Sequence, residues 1–182
     1  MGAADAEPEN LNQLLHGDYA FTGEATCLAG LGGFTNDLIP IGGRFVFSFS
    51  VQGVRTFNGD GTGTLHGRSV SVTHSDNPFQ SGGATSNNFQ ASFTYNVAPD
   101  RTFTSELNGP LTGTFLTGTR AGQTFATTNF PVFAGIISQD HKSLTLAHPE
   151  PTVEVQTFSN GDVQPRICHR SRVLLRLKEG AD

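Results

Sequence analysis

Arg44–His74 reads RFVFSFSVQGVRTFNGDGTGTLHGRSVSVTH. Phe45, Phe47, Phe49 and Val51 alternate with Val46, Ser48, Ser50 and Gln52. Only an extended chain buries one face with a period of two. Asn58-Gly59-Asp60-Gly61 follows, with residue types that adopt positive φ in a hairpin turn. The returning strand, Leu65 to His74, is far more polar. One hairpin cannot bury a Phe row alone, so the flanking chain must wrap around it.

The flanks carry the same pattern. In Asp18 to Leu28, Tyr19, Phe21, Gly23, Ala25 and Cys27 share one face. Phe89, Ala91, Phe93, Tyr95 and Val97 alternate with polar residues after the polar loop 75–88. Short strands follow at Thr102 to Leu107, Leu111 to Thr117, Gln123 to Thr128, Ser143 to Ala147, Val153 to Phe158 and Arg166 to Leu177. Asn108-Gly109-Pro110 reads as a turn, and His148-Pro149-Glu150-Pro151 breaks a strand. Phe130 to Ile137 is almost continuously apolar, which predicts burial on both sides. About eight to ten strands at this spacing predict an all-β fold. Consecutive hairpins favour an antiparallel up-and-down β-barrel closed by the first and last strands. Leu11, Leu14 and Leu15 fit a short helical turn capped by Asn10, placed to plug one end. Residues 11–178 form one domain between tails at 1–10 and 179–182, the first of them expected to be disordered. The loop 29–43 holds Leu31, Phe34, Leu38, Ile39 and Ile41. It is expected to cover the end of the core; the alternative is a lid over a barrel mouth.

The two cysteines test closure. With Cys27 opposite Cys168, an antiparallel register puts Phe21 opposite Leu174, Tyr19 opposite Arg176 and Glu24 opposite Ser171. The strands then overlap without a gap, and a disulfide is geometrically allowed. The alternative is two buried thiols. Arg170, Arg172 and Arg176 share the cysteine face; His169, Ser171, Val173, Leu175 and Leu177 share the other. Neither face is purely apolar, so the inside of this strand stays open, and a bulge near Arg172 would reconcile its two ends.

Composition limits the function. There are 15 Phe, 2 Tyr, no Trp and 22 Gly among 182 residues. The formal net charge of -5 argues against a nucleic-acid partner, which needs a basic face. No run is long enough for a membrane helix. A disulfide fits export, so the expectation is an exported, periplasmic or secreted protein whose signal peptide is missing from this sequence; the alternative is a cytoplasmic protein. NGDGTG at 58–63 lacks the carboxylates of a calcium loop: Gly67 stands at the twelfth position counted from Thr56. His16, His66, His74, His141, His148 and His169 show no metal-ligand spacing, so no metal is assigned. No phosphate loop, dinucleotide fingerprint or nucleophile elbow is present, so no cofactor is assigned.

Charges inside strands are more informative: Glu24, Arg55, Arg68, Glu106, Glu154, Arg170 and Arg172. An inward charge needs a partner or a wet cavity. Glu24, Tyr19, Tyr95, Arg170, Arg172 and His169 are the candidate catalytic groups, a set that a cofactor-independent isomerase, cyclase or lyase would use. The bland alternative is outward charges that solvate the barrel. Phe45, Phe47, Phe49, Phe93 and Phe103 are the candidate ligand-binding residues, with Tyr95 beside them.

The opening LNQLLHGDYAFTGEA resembles the start of exported bacterial β-proteins of unassigned role, although His16 displaces the usual glycine position. The strand plan is similar to calycin-type and allene-oxide-cyclase-like barrels, without the lipocalin tryptophan. That resemblance implies an apolar cavity and a small hydrophobic ligand. Three functions therefore stand at this point: a binding barrel for a small apolar or aromatic molecule, an enzyme acting on such a molecule, and a structural barrel with a filled core. Residues 29–41 and Phe130–Ile137 are the places where a homo-oligomer would form.

Overall fold

The structure, a computed structural model, describes residues 10–74 and 83–178. The tails expected at 1–10 and 179–182 lie outside the described residues apart from Asn10, as does the loop segment 75–82. The described residues form one antiparallel sheet of 11 strands: β1 (His16–Gly30), β2 (Arg44–Asn58), β3 (Thr62–Thr73), β4 (Ala84–Val97), β5 (Thr102–Leu107), β6 (Leu111–Phe115), β7 (Thr124–Thr128), β8 (Phe133–Ile137), β9 (Ser143–Ala147), β10 (Val153–Phe158) and β11 (Val163–Arg176). β4 begins at Ala84, five residues before its alternating pattern becomes visible at Phe89.

The sheet closes on itself through β1 and β11. Cys27 faces Cys168, Phe21 faces Leu174, Tyr19 faces Arg176 and Glu24 faces Ser171, as the cysteine register requires. The two cysteines form a disulfide. The pairing runs unbroken from Ala29↔Arg166 to Tyr19↔Arg176, so no bulge interrupts β11 at Arg172.

Several short strands are halves of longer ones. One edge of β4 pairs with β5 at Phe93–Val97 and with β6 at Asn87–Gln90. β5 and β6 therefore follow one another along β4, both antiparallel to it. In the same way β9 and β10 share one edge of β11, while β7 and β8 lie between the two composite strands. The fold is an eight-stranded up-and-down meander in which three adjacent strands are interrupted at a common level. Asn108-Gly109-Pro110 is thus an in-line break, not the hairpin turn its composition predicts. From Phe93 to Gln90 β4 advances three residues while its partner advances five, from Leu107 to Thr112. Pro110, Pro131, Pro149 and Pro151 all fall in the breaks. Proline has no N–H to continue a ladder, so the wall opens there.

Two apolar stretches depart from expectation. Phe130–Ile137 is not buried on both sides, because Val132 and Ile136 point outward and are exposed. Residues 31–43 do not cover the core either. They continue the β1–β2 hairpin as a ladder, with Gly32 N donating to Ile41 O at 2.9 Å and Thr35 N to Ile39 O at 2.9 Å, and leave Leu31, Ile39 and Ile41 exposed.

The inward face is crowded with aromatic rings, and glycine makes room for them. Phe21 faces Gly53, Gly53 faces Gly67 and Gly67 faces Phe89. A Cβ on Gly53 would stand 2.8 Å from the Phe21 ring, and one on Gly67 2.8 Å from the Phe89 ring. Each ring lies across the bare backbone of the next strand, which covers glycine without a void.

Removing the bridge tests how far closure depends on it. The disulfide closes a loop spanning 141 residues of sequence. Replacing Cys27→Ser together with Cys168→Ser is expected to lower the unfolding free energy by about 2–5 kcal/mol. The readout is the unfolding free energy extrapolated to zero urea, because opening the loop also steepens the slope; an unchanged value would mean that the ladder alone holds the first and last strands together.

Candidate functional site

The barrel has two unlike halves. The lower half is solid. Tyr19, Phe57, Phe93, Tyr95 and Phe103 pack edge to face or stacked, with Phe57 at 5.1 Å from Tyr19 and 5.1 Å from Tyr95 between ring centres. The 3-10 turn Leu11–Leu14 closes this end, capped by the Asn10 side chain, which accepts from Asn12 N at 3.1 Å. Leu11 and Leu14 rest on the core, and Leu15 is fully buried. The Tyr95 hydroxyl ties the plug down. It accepts from Gly59 N at 3.0 Å and lies 2.9 Å from Leu15 O and 3.0 Å from Asn12 O. The Tyr19 hydroxyl donates to His141 O at 2.8 Å. Burial raises the pKa of both tyrosines. They anchor loops to the closed end.

The upper half, towards the disulfide, encloses a cavity of about 270 Å³. Phe45, Phe47, Phe49, Phe115, Phe130 and Phe133 line it, together with Arg55, Arg166, Arg170 and Arg172. It reaches the rim at Thr73, Gly83 and Gly118. Exposed charge and apolar residues on β11 point the other way: Val173 and Leu175 lie outside, while Arg166, Arg170 and Arg172 are buried on the cysteine face.

One carboxylate answers these guanidinium groups. Glu154, on β10, is fully buried. Arg170 grips it with two hydrogen bonds, Nη1 to Oε1 and Nη2 to Oε2, the latter at 2.7 Å. Arg166 adds Nε to Oε2 at 3.2 Å and reaches Gln156 Oε1 at 2.7 Å with Nη1. Burial opposes ionisation of Glu154, but Arg170 and Arg166 outweigh it and hold the carboxyl below its ordinary pKa.

Arg172 and Arg55 have no carboxylate partner among the described residues. Gly23, opposite Arg172, leaves the space its side chain crosses; a Cβ there would stand 2.7 Å from Arg172 Cδ. Arg172 Nη1 donates to Glu24 O at 2.8 Å and Ser171 O at 2.6 Å. Arg55 donates to Ser105 Oγ at 3.4 Å and lies over the Phe93 and Phe133 rings at 4.9 and 5.2 Å. Burial drives the Arg55 pKa down to about 10. Burial, and then the neighbouring Arg170 and Arg55, drive Arg172 down to about 9.

The candidate catalytic groups do not converge. Glu24 and His169 stand on the outer face and are exposed; only the Glu24 backbone touches Arg172. Strand parity forces this, since Ala25 and Arg170, their inward neighbours, occupy the interior. Tyr19 and Tyr95 are committed to the closed end. Arg170 and Arg172 alone of that set line the cavity. Of the candidate ligand-binding residues, Phe45, Phe47 and Phe49 line it, whereas Phe93 and Phe103 belong to the solid half. Glu154 and Arg55 are strand charges that the sequence marks without a role. Arg166 was missed, although it shares the parity of Cys168 and Arg170.

His148 sits at the broken level of the wall, its ring 4.2 Å from that of Phe133 and 5.7 Å from that of Phe130. Burial, then Arg170 and to a lesser degree Arg172, lower its pKa to about 4, against the pull of Glu154. No protein-family model, curated protein or solved structure matches this chain significantly.

Two acid-sensitive windows follow. His148 has a folded pKa of about 4 against 6.5 for the free group, so the unfolded chain takes the proton first. Stability is expected to fall as pH drops from 6.5 towards 4, and His148→Gln should flatten that window in urea titrations at stepped pH. Glu154 has a depressed folded pKa, so its contribution is present above the ordinary carboxylate range and is lost as pH falls through the lowered value. Glu154→Gln is expected to cost about 3–5 kcal/mol at neutral pH, because it leaves buried guanidinium groups unpaired. Equal stability of this variant and the parent would show that the clamp is dispensable.

Proposed function

We propose that this protein is a binding barrel for a small apolar or aromatic molecule held in the upper cavity. The observation that carries the reading is the contrast between the two halves. One end is plugged and filled by interlocking rings; the other keeps about 270 Å³ beside a row of Phe. That volume lies just below the usual range for ligand pockets, about 300–1,000 Å³. It exceeds the roughly 150 Å³ that suffices for benzene in an apolar cavity. One or two fused rings therefore fit. β1, β2, β3, β4 and β11 run without a break and β1 is cross-linked to β11, which suits a preformed pocket. The disulfide is consistent with an oxidising, exported setting. The dispersal of Glu24, His169, Tyr19 and Tyr95 removes most of the support for catalysis by that set.

The test is a fluorescence titration with naphthalene. Ser71, opposite Phe49 on β3, lines the cavity. Ser71→Phe is expected to occupy the space and weaken naphthalene binding at least about tenfold, with no loss of thermal stability. Binding that persists unchanged in Ser71→Phe would place naphthalene elsewhere. Absence of naphthalene binding by the parent protein would count against a neutral aromatic ligand, and against the binding barrel itself if charged and amide probes of the same size also fail to bind.

A further inference from the structure

We infer that the ligand of the upper cavity is an anion: a small aromatic or unsaturated carboxylate whose carboxylate group meets Arg172 and Arg55 while its body lies against Phe45, Phe47 and Phe49. This rests on the reading of the cavity as a ligand site and adds the charge of what enters it.

The argument begins with an imbalance. Among the described residues the buried charged ones are Arg55, Arg166, Arg170, Arg172 and Glu154. Four guanidinium groups thus share one carboxylate, and that carboxylate is already engaged by two of them. Arg170 occupies both its oxygens and Arg166 shares one. Arg120, at the rim, is paired with Asp162 at 3.2 Å. Arg172 and Arg55 are left with backbone, hydroxyl and ring-face contacts only. They are 8% and 4% exposed, and both line the cavity.

A buried guanidinium without a counter-charge is costly, and two within electrostatic reach of each other are worse. Burial lowers the pKa of both, and Arg170 and Arg55 lower that of Arg172 further against the weaker pull of Glu154. An entering anion supplies the counter-charge. Guanidinium matches a carboxylate in shape, with parallel N–H donors facing two oxygens. The surrounding Phe rings exclude water, which strengthens the attraction. The available volume then limits the body attached to the carboxylate to about one or two rings. A neutral apolar molecule of the same size fills the space and leaves the charges uncompensated. The inference therefore separates two ligands of equal shape.

Cinnamate and cinnamamide are such a pair. Calorimetric titration of the full chain, disulfide intact, is expected to give cinnamate at least about tenfold tighter binding than cinnamamide at pH 7 and low salt. Arg172→Met is expected to erase most of that preference, and Arg172→Lys to restore part of it. If Arg172→Met does not fold, the parent protein still decides the matter. Equal affinity for acid and amide in the parent would overturn the anion inference and keep the binding barrel. Failure of both to bind, together with failure of naphthalene, would overturn the binding barrel itself. A preference for cinnamate that survives unchanged in both Arg172→Met and Arg55→Met would place the anion at another site and overturn the assignment to these residues.

Discussion

The register between β1 and β11 is the constraint on which the interior depends. In a strand every side chain changes face if the pairing slips by one residue. Here such a slip would turn Cys168, Arg166, Arg170 and Arg172 outward and bring Val173 and Leu175 in. The Cys27–Cys168 bridge excludes it, because only directly opposed residues can be joined. Closure and the chemistry of the interior are thus fixed by the same pair. Once the register is set, the arginines are inside, and the neighbouring β10 must present Glu154 towards them. Gly23 must also lack a side chain, so that Arg172 can lie across β1.

Placing charge there works against stability. A barrel of this size would hold together more simply with leucine at those positions, since replacing a buried ion cluster by apolar residues is often neutral or stabilising. The lower half takes that simpler course, with rings, leucines and tyrosines whose hydroxyls reach backbone carbonyls. The upper half does not. Its Phe rings are arranged around the guanidinium groups, with Arg170 4.6 Å from the Phe130 ring centre and Arg55 over Phe133, reaching also over Phe93 at the top of the solid half. Ring faces offset some of the lost hydration of a cation, by up to about 2 kcal/mol when desolvated. They do not replace a counter-charge. The cavity is therefore electrostatically incomplete, and the anion proposed above would supply the missing counter-charge.

The closure of the barrel was legible in the sequence because it rests on a local, periodic signal and one long-range pair. Phe45, Phe47 and Phe49 declare their face without help, and Cys27 with Cys168 declares the register. The inside of β11 was not legible. Its outer face carries Val173, Leu175 and Leu177, all exposed, while its inner face carries arginine. Hydrophobic pattern assigns such a strand ambiguously, because its core is polar. The three interrupted strands were illegible for a different reason. Asn-Gly-Pro has the same composition in an in-line break as in a hairpin turn, and only the pairing of both flanks with β4 distinguishes them. Glu24 and Glu154 illustrate the limit best. Glu24 stands in the 15-residue β1, whose alternation puts it outside, whereas Glu154 stands in the six-residue β10, where Val153 and Val155 take the other face and the local pattern points the carboxylate the wrong way.

The interruption places His148 within the electrostatic reach of the arginine cluster. Where Asn108–Pro110, 129–132 and 148–152 lie side by side, the wall lacks ladder hydrogen bonds across three neighbouring strands. Phe130, Phe133 and His148 fill the opening from within. A continuous strand would alternate its side chains strictly and could not place two of these rings against the imidazole at one level. The breaks relax that alternation, and the proline residues keep the freed backbone from re-forming a ladder. Relaxed pairing on one side is tolerable because β1, β2, β3, β4 and β11 run the height of the barrel without a break. The uninterrupted strands carry the closure, and the interrupted ones are free to shape the side chains behind Arg170. An imidazole that stays neutral beside Arg170 adds bulk without further positive charge, which keeps the interior from growing still more unbalanced.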